Sequence, residues 1–218
     1  MRRVAVLGML LVIGLPAGSI RAQAPPDPAS LARSLQTRYD KIHSFTAQFT
    51  QTYKSGGLDL KVTPEKGEIK VKKPDRFRME TNEPVRKTTG SDGQTLYFHD
   101  HKARTASEEP LPEGTDAPTA LMFIAGRGNL LRDFTPAMAP AQPDGFWHLE
   151  LAPKSPTAEF KQLTLIVDRN TLALRGFSWA DHQGGINTVR LDQLRENPTL
   201  ADREFAFQIP AGVQRIKR

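Results

Sequence analysis

Beyond residue 44 the chain alternates between apolar and polar positions, and the places where the alternation fails mark its other elements. Phe45, Ala47, Phe49, Gln51 and Tyr53 fall on one side of an extended segment, and Thr46, Gln48, Thr50 and Thr52 on the other. Gly56-Gly57 closes that strand. Upstream the period is helical instead. Leu31, Leu35, Tyr39 and Ile42 recur at three- to four-residue spacing, which predicts one amphipathic helix running to about Lys41. Ala24-Pro25-Pro26-Asp27-Pro28 is a stiff leader that offers Asp27 or Pro28 as the helix entrance.

The alternating habit repeats over 67–73, 76–81, 95–99, 146–152, 160–168, 172–179, 186–194 and 204–209. Turn chemistry separates these runs at Lys73-Pro74-Asp75, Asp92-Gly93, Asp168-Arg169-Asn170 and Gln183-Gly184-Gly185. About nine short strands predict a mainly β chain with few helices (α+β), built on an antiparallel sheet long enough to curl toward a barrel. One segment departs from this. Ala120 to Ala125 is apolar on most sides and stops at Gly126-Arg127-Gly128, so it reads as a short helix whose flank must be covered. Pro136 to Pro143 is Pro/Ala-rich without periodicity and reads as an exposed connector.

Parity along the central strands defines an interior. Ile69, Val71 and Lys73 share a face, Phe77 and Met79 continue it after the turn, and Phe45, Ala47 and Phe49 are compatible with it. Lys70, Lys72, Arg76, Arg78 and Glu80 fall on the other side, which reads as solvated. Such an interior is either an ordinary core or, with Leu121 to Ile124 and the first helix as movable covers, a cavity for an apolar ligand. Lys73 is the odd member. It is either a stem that snorkels its charge to the rim or a donor to a covering element or a ligand's polar group.

Composition adds the compartment. Met1-Arg2-Arg3, the apolar run Val4 to Leu15 and the small residues before Ala22-Gln23-Ala24 follow the order of a secretory signal peptide. The run is shorter than the roughly 20 residues a membrane span needs. The expected organisation is a signal peptide over 1–22, with cleavage at Ala24 as the alternative, and one domain over 23–218. The chain carries 30 basic and 24 acidic residues, a net of +6. Losing Arg2, Arg3 and Arg21 leaves 27 against 24, or +3, with no concentrated basic patch of the kind nucleic acid requires. With no cysteine, disulfides and thiolate metal sites are excluded.

Catalytic chemistry is missing from the pattern. There is no Gly-x-Ser-x-Gly elbow, phosphate-cradling loop or His-Glu-x-x-His motif. His99-Asp100-His101 places two imidazoles on one strand face but has no third ligand motif, and Glu108-Glu109 reads as solvated. No catalytic residue, metal ligand or cofactor is assigned.

Four blocks resemble LolA-type outer-membrane lipoprotein carriers. Arg38 to Gln51 is similar to that family's passage from a helix into a strand of the form S-F-x-A-x-F-x-Q. Gly67 to Met79 resembles its second block, Asp92-Gly93-Gln94-Thr95-Leu96-Tyr97 its D-G-x-x-L hairpin, and Asn197 with Phe205, Phe207, Pro210, Gly212 and Val213 its ending. The resemblance implies a half-open antiparallel β-barrel with a helical lid over an apolar cavity. It implies a periplasmic, cofactor-free monomer that takes acylated lipoproteins from an inner-membrane ABC release complex to an outer-membrane receptor, and not an enzyme. Carried over by position, Phe45, Ala47, Phe49, Ile69, Val71, Phe77, Met79 and Leu96 line the cavity and Leu121, Met122, Phe123 and Ile124 form the lid. Lys73 stands where the family commonly has an arginine that helps to hold the lid. Lysine lacks the planar fork that bonds two carbonyls, which implies a weaker or differently arranged closure. A regulatory sensor of mislocalised lipoproteins, or a carrier of another lipid, shares the same fold expectation.

Overall fold

Asp27 starts the first helix by accepting a hydrogen bond from the Ser30 amide at 2.8 Å, and Pro28 supplies a fixed φ at its first position. This helix, α1 (Pro28–Asp40), buries Leu31, Ala32 and Leu35. The structure is a computed structural model and describes residues 24–57, 63–111, 120–156 and 159–217. The signal segment expected over 1–22 lies outside the described residues.

From α1 the chain turns at once into β1 (Ser44–Lys54) and then β2 (Glu65–Lys72), β3 (Arg76–Glu83), β4 (Lys87–Asp92), β5 (Thr95–Asp100) and β6 (Thr105–Pro110). Two short helices, α2 (Ala120–Ile124) and α3 (Leu130–Asp133), interrupt the sheet. It resumes as β7 (Phe134–Met138), β8 (Phe146–Pro153), β9 (Gln162–Asp168), β10 (Leu174–Ala180) and β11 (Ile186–Glu196). A 3-10 turn (Asp202–Glu204) and the two-residue β12 (Gln214–Arg215) end the described fold.

The twelve strands among the described residues form one sheet in the order β12-β6-β5-β4-β3-β2-β1-β11-β10-β9-β8-β7. Every pairing is antiparallel except β12 on β6. Strands β12 and β7 are free edges, so the sheet curls without closing, as a half-open barrel does. Register breaks at Thr46/Gln48, Lys66/Gly67 and Leu174/Gly176 add the local bend that curling needs. Gly67 is required at one of them. A Cβ there would meet the Glu80 carbonyl oxygen and the Phe49 ring, so the two strands approach only because the side chain is missing.

Several expectations are corrected. Strands β4 and β6 were not legible because Lys87–Asp92 and Thr105–Pro110 are polar runs, although Thr88, Ser91, Ala106 and Ser107 are buried. The connector over 136–143 begins inside strand β7, and only its later part is a loop. The segment 204–209 is not a strand. It begins in the 3-10 turn and continues as a strap across the convex face of the sheet.

That strap also corrects the reading of the convex face as simply solvated. Lys70 bonds Glu204 at 2.8 Å, Lys72 bonds Asp202 at 2.6 Å and the Leu200 carbonyl at 2.9 Å, and Arg78 donates to the Ala206 carbonyl at 3.2 Å. Phe205 is fully buried beneath the strap, and its carbonyl accepts from the Tyr97 hydroxyl at 3.1 Å. Phe207 stacks on Tyr97 with ring centroids 4.4 Å apart. Burial pushes the Tyr97 phenol up to about 12, so it stays a donor. Asn197 joins strap to helix exit: its side chain accepts from the His43 amide and donates to the Lys41 carbonyl.

Candidate functional site

The concave face holds the main core. Phe45, Ala47, Phe49, Ile69, Val71, Phe77 and Met79 all lie on it, none more than 5 % exposed, and Leu96 packs half-buried against the same cluster. Period-2 alternation puts them there, because β1 to β3 pair Phe45 with Val71, Ala47 with Ile69, and those in turn with Phe77 and Met79. The opposite wall went unassigned. Trp147, Leu149, Leu151, Leu163, Leu165, Val167, Phe177, Val189 and Leu191 complete the interior from β8 to β11. Their alternation was visible within each strand, but no local feature says that β11 pairs with β1 and so brings them opposite Phe45 and Phe49.

Side chains pack most of the expected interior. Among the described residues, a crevice of about 30 Å³ lies between Leu35, Tyr39 and Ile42 of α1 and its exit, Phe123, and Leu165 and Val167 of β9. What fills the rest is α2. Phe123, Ile124, Ala125 and Ala120 are buried on the interior, Leu121 is half-buried at its margin, and Phe123 meets the Phe134 ring edge-on at 5.2 Å. The Met122 side chain is outside the described residues.

Polar contacts at each end hold this cover down. At the start of α2 the Ala120 amide donates to Glu159 Oε2 at 3.0 Å. At its end the Tyr39 hydroxyl donates to the Ile124 carbonyl, and the Asp75 amide to the Ala125 carbonyl at 3.1 Å. Burial raises the Tyr39 phenol well above its ordinary value, which keeps its proton in that bond. Arg127 then clasps the Asp75 carboxylate with two donors, Nε at 2.9 Å and Nη2 at 3.2 Å, its side chain 9 % exposed. The planar fork that Lys73 lacks is thus supplied by Arg127. The Leu130 amide of α3 donates to Gln36 Oε1 of α1 at 2.9 Å, so α3 is tied to the same helix.

Lys73 sits at the rim. Its Nζ donates to the Tyr39 carbonyl at 2.5 Å and lies 3.2 Å from the centroid of the Tyr39 ring. It therefore binds the backbone of α1. Its stem is covered by Gly126, whose φ of 96° and lack of Cβ allow the close approach; a Cβ would lie 2.8 Å from the lysine stem. Burial lowers the Lys73 pKa to about 8, partly offset by the nearby Asp40 carboxylate.

Other chemistry-bearing residues stay apart from this interior. The His99 and His101 rings lie tilted with centroids 3.9 Å apart on the convex side, His101 within 3.0 Å of the Thr88 hydroxyl. Among the described residues no cluster of three His, Cys, Asp or Glu is placed to hold a metal. Among them, too, no helix is long and apolar enough to cross a membrane.

A family profile described as "Outer membrane lipoprotein carrier protein LolA" matches residues 40–208. A protein of Legionella pneumophila named outer-membrane lipoprotein carrier protein is 29 % identical over 188 residues, 86 % of this chain and 90 % of its own. One of Haemophilus influenzae with the same name is 30 % identical over 186 residues, covering 85 % and 86 %. Among solved structures, an uncharacterised conserved protein of Thermus thermophilus superposes with a TM-score of 0.52 at 11 % identity, covering 87 % of this chain and 99 % of that one. At that identity the likeness is one of fold.

Proposed function

Because the chain belongs to the LolA family of outer membrane lipoprotein carrier proteins, we propose that it is a periplasmic carrier that shelters lipoprotein acyl chains under its lid. The segment 1–22 is then its signal peptide and 23–218 the carrier domain. The carrier takes acylated lipoproteins from an inner-membrane ABC release complex and gives them to an outer-membrane receptor.

One observation carries the reading. A continuous apolar concave surface is covered by a five-residue helix that neighbouring elements hold through a handful of polar contacts. An acyl chain gains about 0.8 kcal/mol per sheltered methylene, so ten methylenes are worth about 8 kcal/mol with no covalent step. Lid opening costs part of that, because Phe123 and Ile124 each leave a site worth about 1.5–3 kcal/mol. Binding and release are thereby brought close to balance. The proposed cavity lining is Phe45, Ala47, Phe49, Ile69, Val71, Phe77, Met79 and Leu96, together with the β8 to β11 wall that faces them.

Spheroplasts loaded with labelled lipoproteins and incubated with the purified mature chain provide the test. The expected result is lipoprotein in the soluble fraction as a one-to-one complex. Failure to release any, beside an established carrier that does, would move the assignment to another lipid or to a sensing role.

A further inference from the structure

Beside the closed lid lies a second space of about 280 Å³ with a mixed lining, polar at Gln36, Asp40, His43 and Lys73 and apolar at Tyr39, Ile42 and Phe123. Those last three side chains also line the apolar crevice. They are the partition between the two spaces, and Phe123 belongs to the lid. When the lid moves, the second space becomes the mouth of the apolar interior. A ligand whose chains lie inside leaves its head here.

Two oppositely charged side chains line this mouth, Lys73 just after β2 and Asp40 at the end of α1, near enough for the carboxylate to raise the lysine's pKa. Lys73 Nζ uses one of its three N–H donors on the Tyr39 carbonyl, which leaves donors for a ligand. Asp40 Oδ1 accepts from Gln36 Nε2 at 2.7 Å, and its second oxygen accepts no hydrogen bond among the described residues. A donor and an acceptor so placed match a head that offers both carbonyl oxygens and an N–H. They do not match a phosphate or a free carboxylate, either of which meets Asp40.

Resting on the carrier reading, we propose that this pocket recognises the linkage of an acylated N-terminal residue, Lys73 donating to its ester or amide carbonyls and Asp40 accepting its amide N–H. Asp40 is thus a specificity residue that separates lipoproteins from glycerides with the same chains. Gln36 ties the pocket to α3, since its amide nitrogen holds Asp40 while its oxygen holds the Leu130 amide.

The test is competition for N-phenyl-1-naphthylamine bound to the mature chain. The competitors are a triacylated cysteinyl peptide and a triacylglycerol with the same short chains, which lacks the N–H. The unaltered protein should prefer the peptide about tenfold, the usual scale of one charge-assisted hydrogen bond. Asp40→Ala should cut that preference to about threefold or less while leaving triacylglycerol displacement unchanged. Equal displacement by both lipids, or a preference that survives Asp40→Ala, overturns the proposal and leaves the carrier reading standing. Displacement by neither lipid overturns both.

Discussion

The two faces of the sheet are both covered, but by different means. On the convex face the strap is stitched down by ion pairs to Lys70 and Lys72 and anchored by one wholly buried aromatic, Phe205. On the concave face the cover is α2, five residues long, whose side chains supply most of the attachment while polar contacts pin its ends. The strap leaves nothing an acyl chain could replace. The lid does the reverse, because an acyl chain offers the concave wall the same apolar contact that Phe123 and Ile124 give it. On the proposed function, a fixed back lets the sheet keep its curvature while the front exchanges occupants.

Mutations separate the two covers most sharply at their aromatic anchors. Phe205→Ala should lower the free energy of global unfolding by about 3–4 kcal/mol, measured by urea titration. Phe123→Ala should instead raise amide exchange over 120–126 and shift the global transition by less than about 1 kcal/mol. Equal global losses from both would erase the distinction between strap and lid. Next in size is the clasp. Arg127→Ala leaves Asp75 half-buried without its guanidinium and should favour opening by about 1–3 kcal/mol, seen as faster exchange of the Ala125 amide.

A smaller effect concerns pH. The Lys73 pKa in the closed form, about 8, is below its ordinary value. The closed state therefore binds the lysine proton less tightly than an open state that exposes it. Closure is penalised below about pH 8 and relieved as pH rises toward the ordinary lysine value. Lid protection, corrected for intrinsic exchange, should increase from pH 8 to 10 and be flat in Lys73→Met. Smallest of all, Asp202→Ala on the strap removes an ion pair that is largely in water and should cost under about 1 kcal/mol.

How much of this was legible follows from the range over which each signal acts. Parity from β1 to β3 needs only strands that neighbour each other in sequence, so the first half of the interior could be read directly from residues 45–79. The greasy run ending at Gly126 announced a helix in need of cover for the same local reason. The β8 to β11 wall depended on β11 pairing with β1 across most of the chain, which no local pattern encodes. The strap was misread because Phe205 and Phe207 alternate as a strand would, while only tertiary contact with Tyr97 shows that they lie across a sheet. Arg127 carried no sequence signal of its own; its role depends on the Asp75 turn reaching it.

The claim that acyl chains occupy the concave face is tested most directly with a lipoprotein carrying a photoreactive diazirine in one acyl chain. It is captured as the soluble complex, irradiated and mapped by mass spectrometry. Adducts should fall on peptides containing Phe77, Met79, Leu149 or Phe177, the buried concave positions. Adducts concentrated on Tyr97 and Phe207 of the convex face would contradict the account.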